Sequence, residues 1–109
     1  MVRIRFITIE QLLEMIENKD NFKLVEVLSE DSYKEGHIPG AINIPVDRLQ
    51  KEASSKLEKT DTIVVYCASY HCNASTRAAE MLLNMGYKKT LDFKGSKKLW
   101  VDSGLELEK

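Results

Sequence analysis

Apolar and polar positions along the chain follow two rhythms, and the changes between them divide it into strands and helices. VRIRF interleaves apolar and basic residues, the pattern of a short strand near a sheet edge. Thr8 then stands as a helix cap, with Gln11 three residues on as its capping-box partner. Ile9, Leu12, Leu13 and Ile16 follow at helical spacing until the polar run from Asn18 to Asn21. FKLVEVL predicts a second strand with Val25 and Val27 on one face. Ser29 to Glu35 is polar enough for a loop or a single helical turn, and Gly36, Pro39 and Gly40 are turn residues. Ala41 to Ile44 predicts a very short strand stopped by Pro45. Val46 to Lys59 predicts one or two surface helices anchored by Val46, Leu49, Ala53 and Leu57.

The clearest strand is DTIVVYC. Thr62 to Cys67 is nearly continuous apolar sequence rich in β-branched residues, as expected of a central parallel strand. After a polar loop, a helix is predicted over Ser75 to Met85, with Ala78, Ala79, Leu82 and Leu83 on one face and Gly86 as its stop. KKTLDF is a last short strand, and SKKLWVDSG a closing helix whose Leu99, Trp100 and Val101 are expected to point toward the core. Strands alternate with helices, so a right-handed α/β arrangement over a mostly parallel sheet is the natural solution. No repeat, low-complexity segment or linker interrupts it.

The chain has 109 residues, enough for one domain (residues 1–109) and not two cores. Apolar residues make up 43% and charged residues 30%, an ordinary soluble balance. The net charge of -1 and the short basic runs Lys88, Lys89 and Lys97, Lys98 give no positive stripe, so nucleic acid is not an expected partner. Arg3 and Arg5 break the apolar start, unlike a signal peptide, and no apolar stretch is long enough to span a membrane. The expected location is cytoplasmic. There, two cysteines are more readily free, reactive or metal-bound than a structural disulfide.

Those cysteines, Cys67 and Cys72, lie in VVYCASYHCNASTRAA. In open α/β sheets the working surface lies beyond the carboxyl ends of the strands, where Cys67 stands. The loop after it can turn backbone N–H groups toward a common point beside a helix N-terminus, forming an anion site that stabilises a thiolate. Such a cradle suits sulfur carriage. A thiolate attacks a sulfane sulfur, and the resulting persulfide has an anionic terminal sulfur that needs donors around it.

Three stretches resemble the single-domain rhodanese family: EGHIPGAINIP, Glu35 to Pro45; IVVYC with its loop and STRAAEMLLNMGY; and the closing DFKGSKKLWVDSGLELE, with Trp100 and Gly104 in place. The resemblance covers residues 8 to 107. It implies a three-layer rhodanese-like α/β domain with a five-stranded, mostly parallel sheet flanked by helices. It also implies a sulfurtransferase whose catalytic Cys67 cycles through a persulfide without a cofactor. Thiosulfate, polysulfide or a protein persulfide would be the donor, and a thiol, cyanide or a sulfur-carrier protein the acceptor. The cradle would comprise Ala68, Ser69, Tyr70, His71, Cys72, Asn73, Ala74 and Ser75.

The chain also departs from the family pattern. Eight positions separate Cys67 from Ser75, with no glycine or arginine between them. The usual Asp-Val-Arg at the second strand's end is Glu26, Val27, Leu28, so an acid–base pair is expected to be half lost. The second glycine of the closing Gly-Gly is Ser96. Without a loop arginine, phosphatase chemistry is disfavoured, and a persulfide or polysulfide donor demands less than a dianion.

Cys72 has three readings: a resolving thiol, a spectator at the loop tip, or a small hydrophobe packed inward. His71 could hold an anion or tune a thiol, or be an exposed loop residue. Cys67, His71 and Cys72 do not have a recognised zinc spacing. Tyr70 and Asn73 either line the opening or are ordinary surface. Ser69 and Ser75 can add hydroxyl donors, and Ser75 can cap the helix. His37 is expected to be structural, bonded to backbone near the central strands, and Trp100 to be core. Two alternatives stand beside the sulfurtransferase: a Cys67/Cys72 dithiol redox protein, and a non-catalytic binding module.

Overall fold

Four consecutive buried residues, Ile63–Tyr66, form the strand around which the rest is arranged. In a computed structural model that describes residues 2–109, the chain runs β1 (Arg5–Phe6), α1 (Ile9–Glu17), β2 (Lys23–Glu26), α2 (Glu30–Glu35), β3 (Ile42–Asn43), a 3-10 turn (Val46–Arg48), α3 (Leu49–Lys56), β4 (Ile63–Tyr66), α4 (Ala74–Asn84), β5 (Thr90–Asp92) and α5 (Ser96–Asp102). The sheet order is β1-β5-β4-β2-β3, and every ladder is parallel. β4 therefore has a partner on each side, with Val65 opposite both Val25 and Asp92.

Strand alternation sorts the core into two layers. Val25, Val27, Ile63, Val65 and Cys67 meet Leu49 and Ala53 of α3 and Ala78, Ala79 and Leu82 of α4. Leu24, Val64 and Tyr66 point the other way, toward Ile9 and Leu12 of α1 and Trp100 of α5. Helices thus cover both faces, as a parallel sheet buried on both sides requires. The result is the expected three-layer α/β domain.

Local signals explain the element ends. Thr8 caps α1: the Gln11 amide donates to Thr8 Oγ1 at 3.1 Å, and the Thr8 amide donates to Gln11 Oε1 at 2.8 Å. Thr8→Ala is expected to cost about 1 kcal/mol in a urea melt with the fold unchanged. Gly86 ends α4 at φ +99°, a conformation that glycine adopts without a Cβ clash. The stretch from Val46 resolves into the 3-10 turn and α3, with Leu49, Ala53 and Leu57 buried.

Three expectations change. The first strand is only Arg5–Phe6, at the sheet edge. The third is only Ile42–Asn43, and beside it the Asn43 amide donates to the carbonyls of Glu26 at 3.0 Å and Leu28 at 2.9 Å. Of the three α5 residues expected in the core, only Trp100 faces it. Leu99 and Val101 are 37% and 48% exposed, because three successive residues fan around most of a helical turn and cannot share one buried face.

Candidate active site

β4 delivers Cys67 to the carboxyl end of the sheet, on the α3/α4 side and fully buried. The start of α5 is fastened to that strand end. Lys97 N–H donates to the Cys67 carbonyl at 3.2 Å and Lys98 N–H to the Ala68 carbonyl at 2.9 Å, satisfying amides that a helix start leaves free. Cys67 N–H donates to Ser96 Oγ at 3.0 Å. Ser96 itself has φ +61°, which explains a glycine as the family's usual residue there. Its hydroxyl lies 3.1 Å from the Phe93 carbonyl and 3.8 Å from Cys67 Sγ.

The long loop folds back over Cys67. Cys72 N–H donates to the Ser69 carbonyl at 3.0 Å, closing a turn with Tyr70 and His71 at its exposed tip. This brings the two cysteines together. The Cys67 thiol is placed to donate to the Cys72 carbonyl at 3.4 Å, with the Ser69 carbonyl farther off at 3.9 Å.

The surroundings of the loop favour ionisation of Cys72. Partial burial opposes ionisation of Cys72. The Ala74 N–H, the Cys67 thiol, the Ala68 N–H and the Lys94 ammonium together outweigh it and hold the thiol below its ordinary pKa. Cys72 is half-buried and Cys67 has no exposed surface. Lys94 Nζ donates to the Cys72 carbonyl at 3.2 Å and sits 5.2 Å from the centre of the Tyr70 ring. The loop lacks its own arginine, but β5's end supplies a cation from across the site.

Beneath the site lies a buried ion pair. Glu26 is 0% exposed, with Lys97 Nζ 3.1 Å from its Oε1 and 3.2 Å from its Oε2. The Tyr66 hydroxyl donates to Glu26 Oε1 at 2.8 Å and accepts from Ile38 N–H at 3.0 Å. The acid–base pair expected to be half lost is therefore complete, its base coming from α5 rather than from the residue after β2. Burial first, then the Glu26 charge, push the Tyr66 phenol far above its usual range.

Other expected site residues separate by role. Ser69 closes the loop turn through its carbonyl, and the Ala68 and Ala74 N–H groups favour the Cys72 thiolate. Asn73 occupies the cap position of α4 without a side-chain hydrogen bond. Ser75 is not the cap. The helix already begins at Ala74, so Ser75 turns inward and is fully buried near Asp92. Thr76 Oγ1 donates to Asp92 Oδ2 at 2.8 Å. Burial raises the Asp92 carboxyl above its ordinary pKa against the pull of Ser75, Thr76 and Lys94. His37 lies apart from the loop. It stacks on Tyr33 at 3.9 Å, its Nδ1 is 3.0 Å from the Tyr33 carbonyl, and its backbone pairs with Glu108. That is a structural role on α2 and the C-terminal segment rather than near the central strands. Among the described residues, no three His, Cys, Asp or Glu side chains gather to hold a metal ion.

Lys94 and the base role of Lys97 had no local signal. Ser96 stood out only as a departure from Gly-Gly. Beside the loop, a cleft of about 390 Å³ is lined by Ser69, Tyr70, His71, Lys94, Lys98 and Leu99, among others. Tyr70 and Leu99 give it apolar walls; Lys98 is paired with Asp102 at 2.8 Å in its lining, and Lys94 supplies the remaining positive charge.

Comparison with known proteins agrees with this architecture. The profile of the Rhodanese-like domain family matches residues 8–103. Thiosulfate sulfurtransferase GlpE of Coxiella burnetii is 32% identical over 87 residues, covering 80% of this chain and 78% of its own. The crystal structure of the BH2092 protein from Bacillus halodurans superposes with a TM-score of 0.88 at 28% identity, over 95% of this chain and 76% of the other. The solution structure of the Rhodanese-like domain of Alr3790 from Anabaena sp. gives 0.86 at 28% identity, over 97% and 80%.

Proposed function

The chain belongs to the rhodanese-like domain family, and on that footing we propose that it is a sulfurtransferase carrying sulfane sulfur as a persulfide on Cys72. One observation carries the assignment within the loop: Cys72 is the cysteine whose sulfur is both reachable and held below the ordinary thiol pKa by backbone N–H groups. Cys67, the strand-end residue favoured by the sequence, stands behind it as an inner thiol whose Sγ lies 3.4 Å from the Cys72 carbonyl.

The chemistry balances without a cofactor. With thiosulfate, the Cys72 thiolate attacks the outer sulfur, the sulfur–sulfur bond breaks, and sulfite leaves with the bonding pair. With a polysulfide or a protein persulfide, the shortened sulfide or the thiolate leaves. The Ala68 and Ala74 amides and Lys94 face the anionic product. An acceptor thiolate or cyanide then attacks the terminal sulfur and returns Cys72 as a thiolate. The cleft beside the loop, with Lys94 over apolar walls, fits a donor or acceptor that joins a negative charge to an apolar body.

The test is to incubate reduced protein with thiosulfate or polysulfide and fragment the intact chain in a mass spectrometer. An addition of about 32 Da on Cys72 is expected from the carrier chemistry. Addition on Cys67 with Cys72 still free would return the nucleophile to the strand end. No addition on either cysteine with any donor would sink the proposal.

A further inference from the structure

We infer that Cys67 is a resolving thiol. When Cys72 carries sulfane sulfur and no external acceptor is bound, Cys67 attacks Cys72 Sγ, closing a Cys67–Cys72 disulfide and releasing hydrosulfide. This gives the loop a second activity, reduction of sulfane sulfur to sulfide, and it rests on the Cys72 persulfide reading.

The placement of the two thiols carries the inference. The turn closed by Cys72 N–H and the Ser69 carbonyl folds the loop so that Cys67 Sγ lies 3.4 Å from the Cys72 carbonyl and Cys72 packs against the buried cluster that contains Cys67. The two cysteines are thus neighbours across one turn, the proximity from which sulfur–sulfur exchange starts. Cys67 has no exposed surface, so an external donor or oxidant reaches Cys72 first and Cys67 meets only what Cys72 brings. The Ser96 hydroxyl, 3.8 Å from Cys67 Sγ, is a donor available to that sulfur as charge develops on it.

The step balances. The Cys72 persulfide anion and the Cys67 thiol give the disulfide and HS⁻. The bond from Cys72 Sγ to the terminal sulfur breaks, and its electron pair leaves with that sulfur, which takes the Cys67 proton. The two cysteine sulfurs are oxidised by two electrons as the terminal sulfur becomes sulfide. A dithiol or thiol reductant from outside then reopens the disulfide by exchange. Attack of Cys67 on the outer sulfur would instead move the persulfide inward, with no sulfide released and no disulfide formed.

The experiment loads wild-type protein with polysulfide, desalts it without an acceptor, traps hydrosulfide with a bimane reagent, and records intact mass over time. One hydrosulfide is expected for each disulfide, with a product about 2 Da lighter than the reduced chain. Cys67→Ser and Cys67→Ala, checked for folding by circular dichroism, should keep the added sulfur and release at least about tenfold less sulfide. Wild-type protein that loads on Cys72 and holds its persulfide, with Cys67 still free, overturns the resolving role and leaves the carrier reading intact. Sulfide release from folded Cys67 variants at the wild-type rate also overturns it. A wild-type chain that never loads sulfur on Cys72 overturns both.

Discussion

Cys72→Ser is expected to lower sulfane-sulfur transfer by at least about a thousandfold, because it removes the group that forms the covalent intermediate. Serine keeps the shape of the side chain but offers no thiolate near neutral pH. The fold should be unaffected, since Cys72 lies on a loop rather than within the fully buried set. Transfer to cyanide, followed as thiocyanate, measures the loss. Because the Cys72 pKa is lowered, its thiolate fraction at neutral pH exceeds that of a free cysteine. Its alkylation rate should therefore level off below the ordinary thiol midpoint of about 8.5. Lys94→Met and Cys67→Ala each remove one group that favours the thiolate, so each should move that midpoint upward. Full activity in Cys72→Ser together with a silent Cys67→Ser would reverse the assignment of the two cysteines.

Lys97→Ala should cost about 3–5 kcal/mol in a urea melt, the range seen when one partner of a buried ion pair is removed. Glu26 cannot turn to water for compensation, because it has no exposed surface. Lys97 also donates to the Ser32 carbonyl at 3.2 Å, so the loss unfastens α5 from α2 as well as from β2. Tyr66 would still donate to Glu26, but a single phenol does not neutralise a buried carboxylate. The double variant Glu26→Gln, Lys97→Met removes both charges at similar volume and should recover most of the loss, giving a large coupling in the double-mutant cycle. A loss in Lys97→Ala below about 0.5 kcal/mol, the size of an ordinary surface substitution, would mean that the pair does not brace the site.

Lys97 also marks where sequence reasoning stops. It lies 71 positions from Glu26, and nothing local in SKKLW distinguishes a lysine bound for a buried carboxylate from the exposed Lys98 beside it. The missing arginine after Glu26 was visible because family patterns are read locally. Its replacement came from tertiary structure. The elements themselves were legible where periodicity and caps agreed, as in the continuous apolar run of β4 and the Thr8–Gln11 box. The position of Cys67 at a strand end was legible for the same reason. The direction of the loop N–H groups was not, because it depends on one turn from Ser69 to Cys72 that the polar stretch does not announce. Ser75 shows the same limit. A serine near a helix start resembles a cap, yet a one-residue difference in where the helix begins turns it toward Asp92.

The strand order has a consequence for how the protein is made. β1 lies at the edge beside β5, with Arg5 opposite Leu91, so β1 waits until β5 has been made before it can pair. β2, β3 and β4 can assemble earlier, but β4 then keeps one open edge of apolar residues until β5 emerges. A nascent chain stalled between α4 and β5 should therefore be the form most prone to pair with a second chain. Lys94, Ser96 and Lys97 arrive in that same final segment. The two thiols are therefore made before the cation and the hydroxyl that lie beside them in the folded chain.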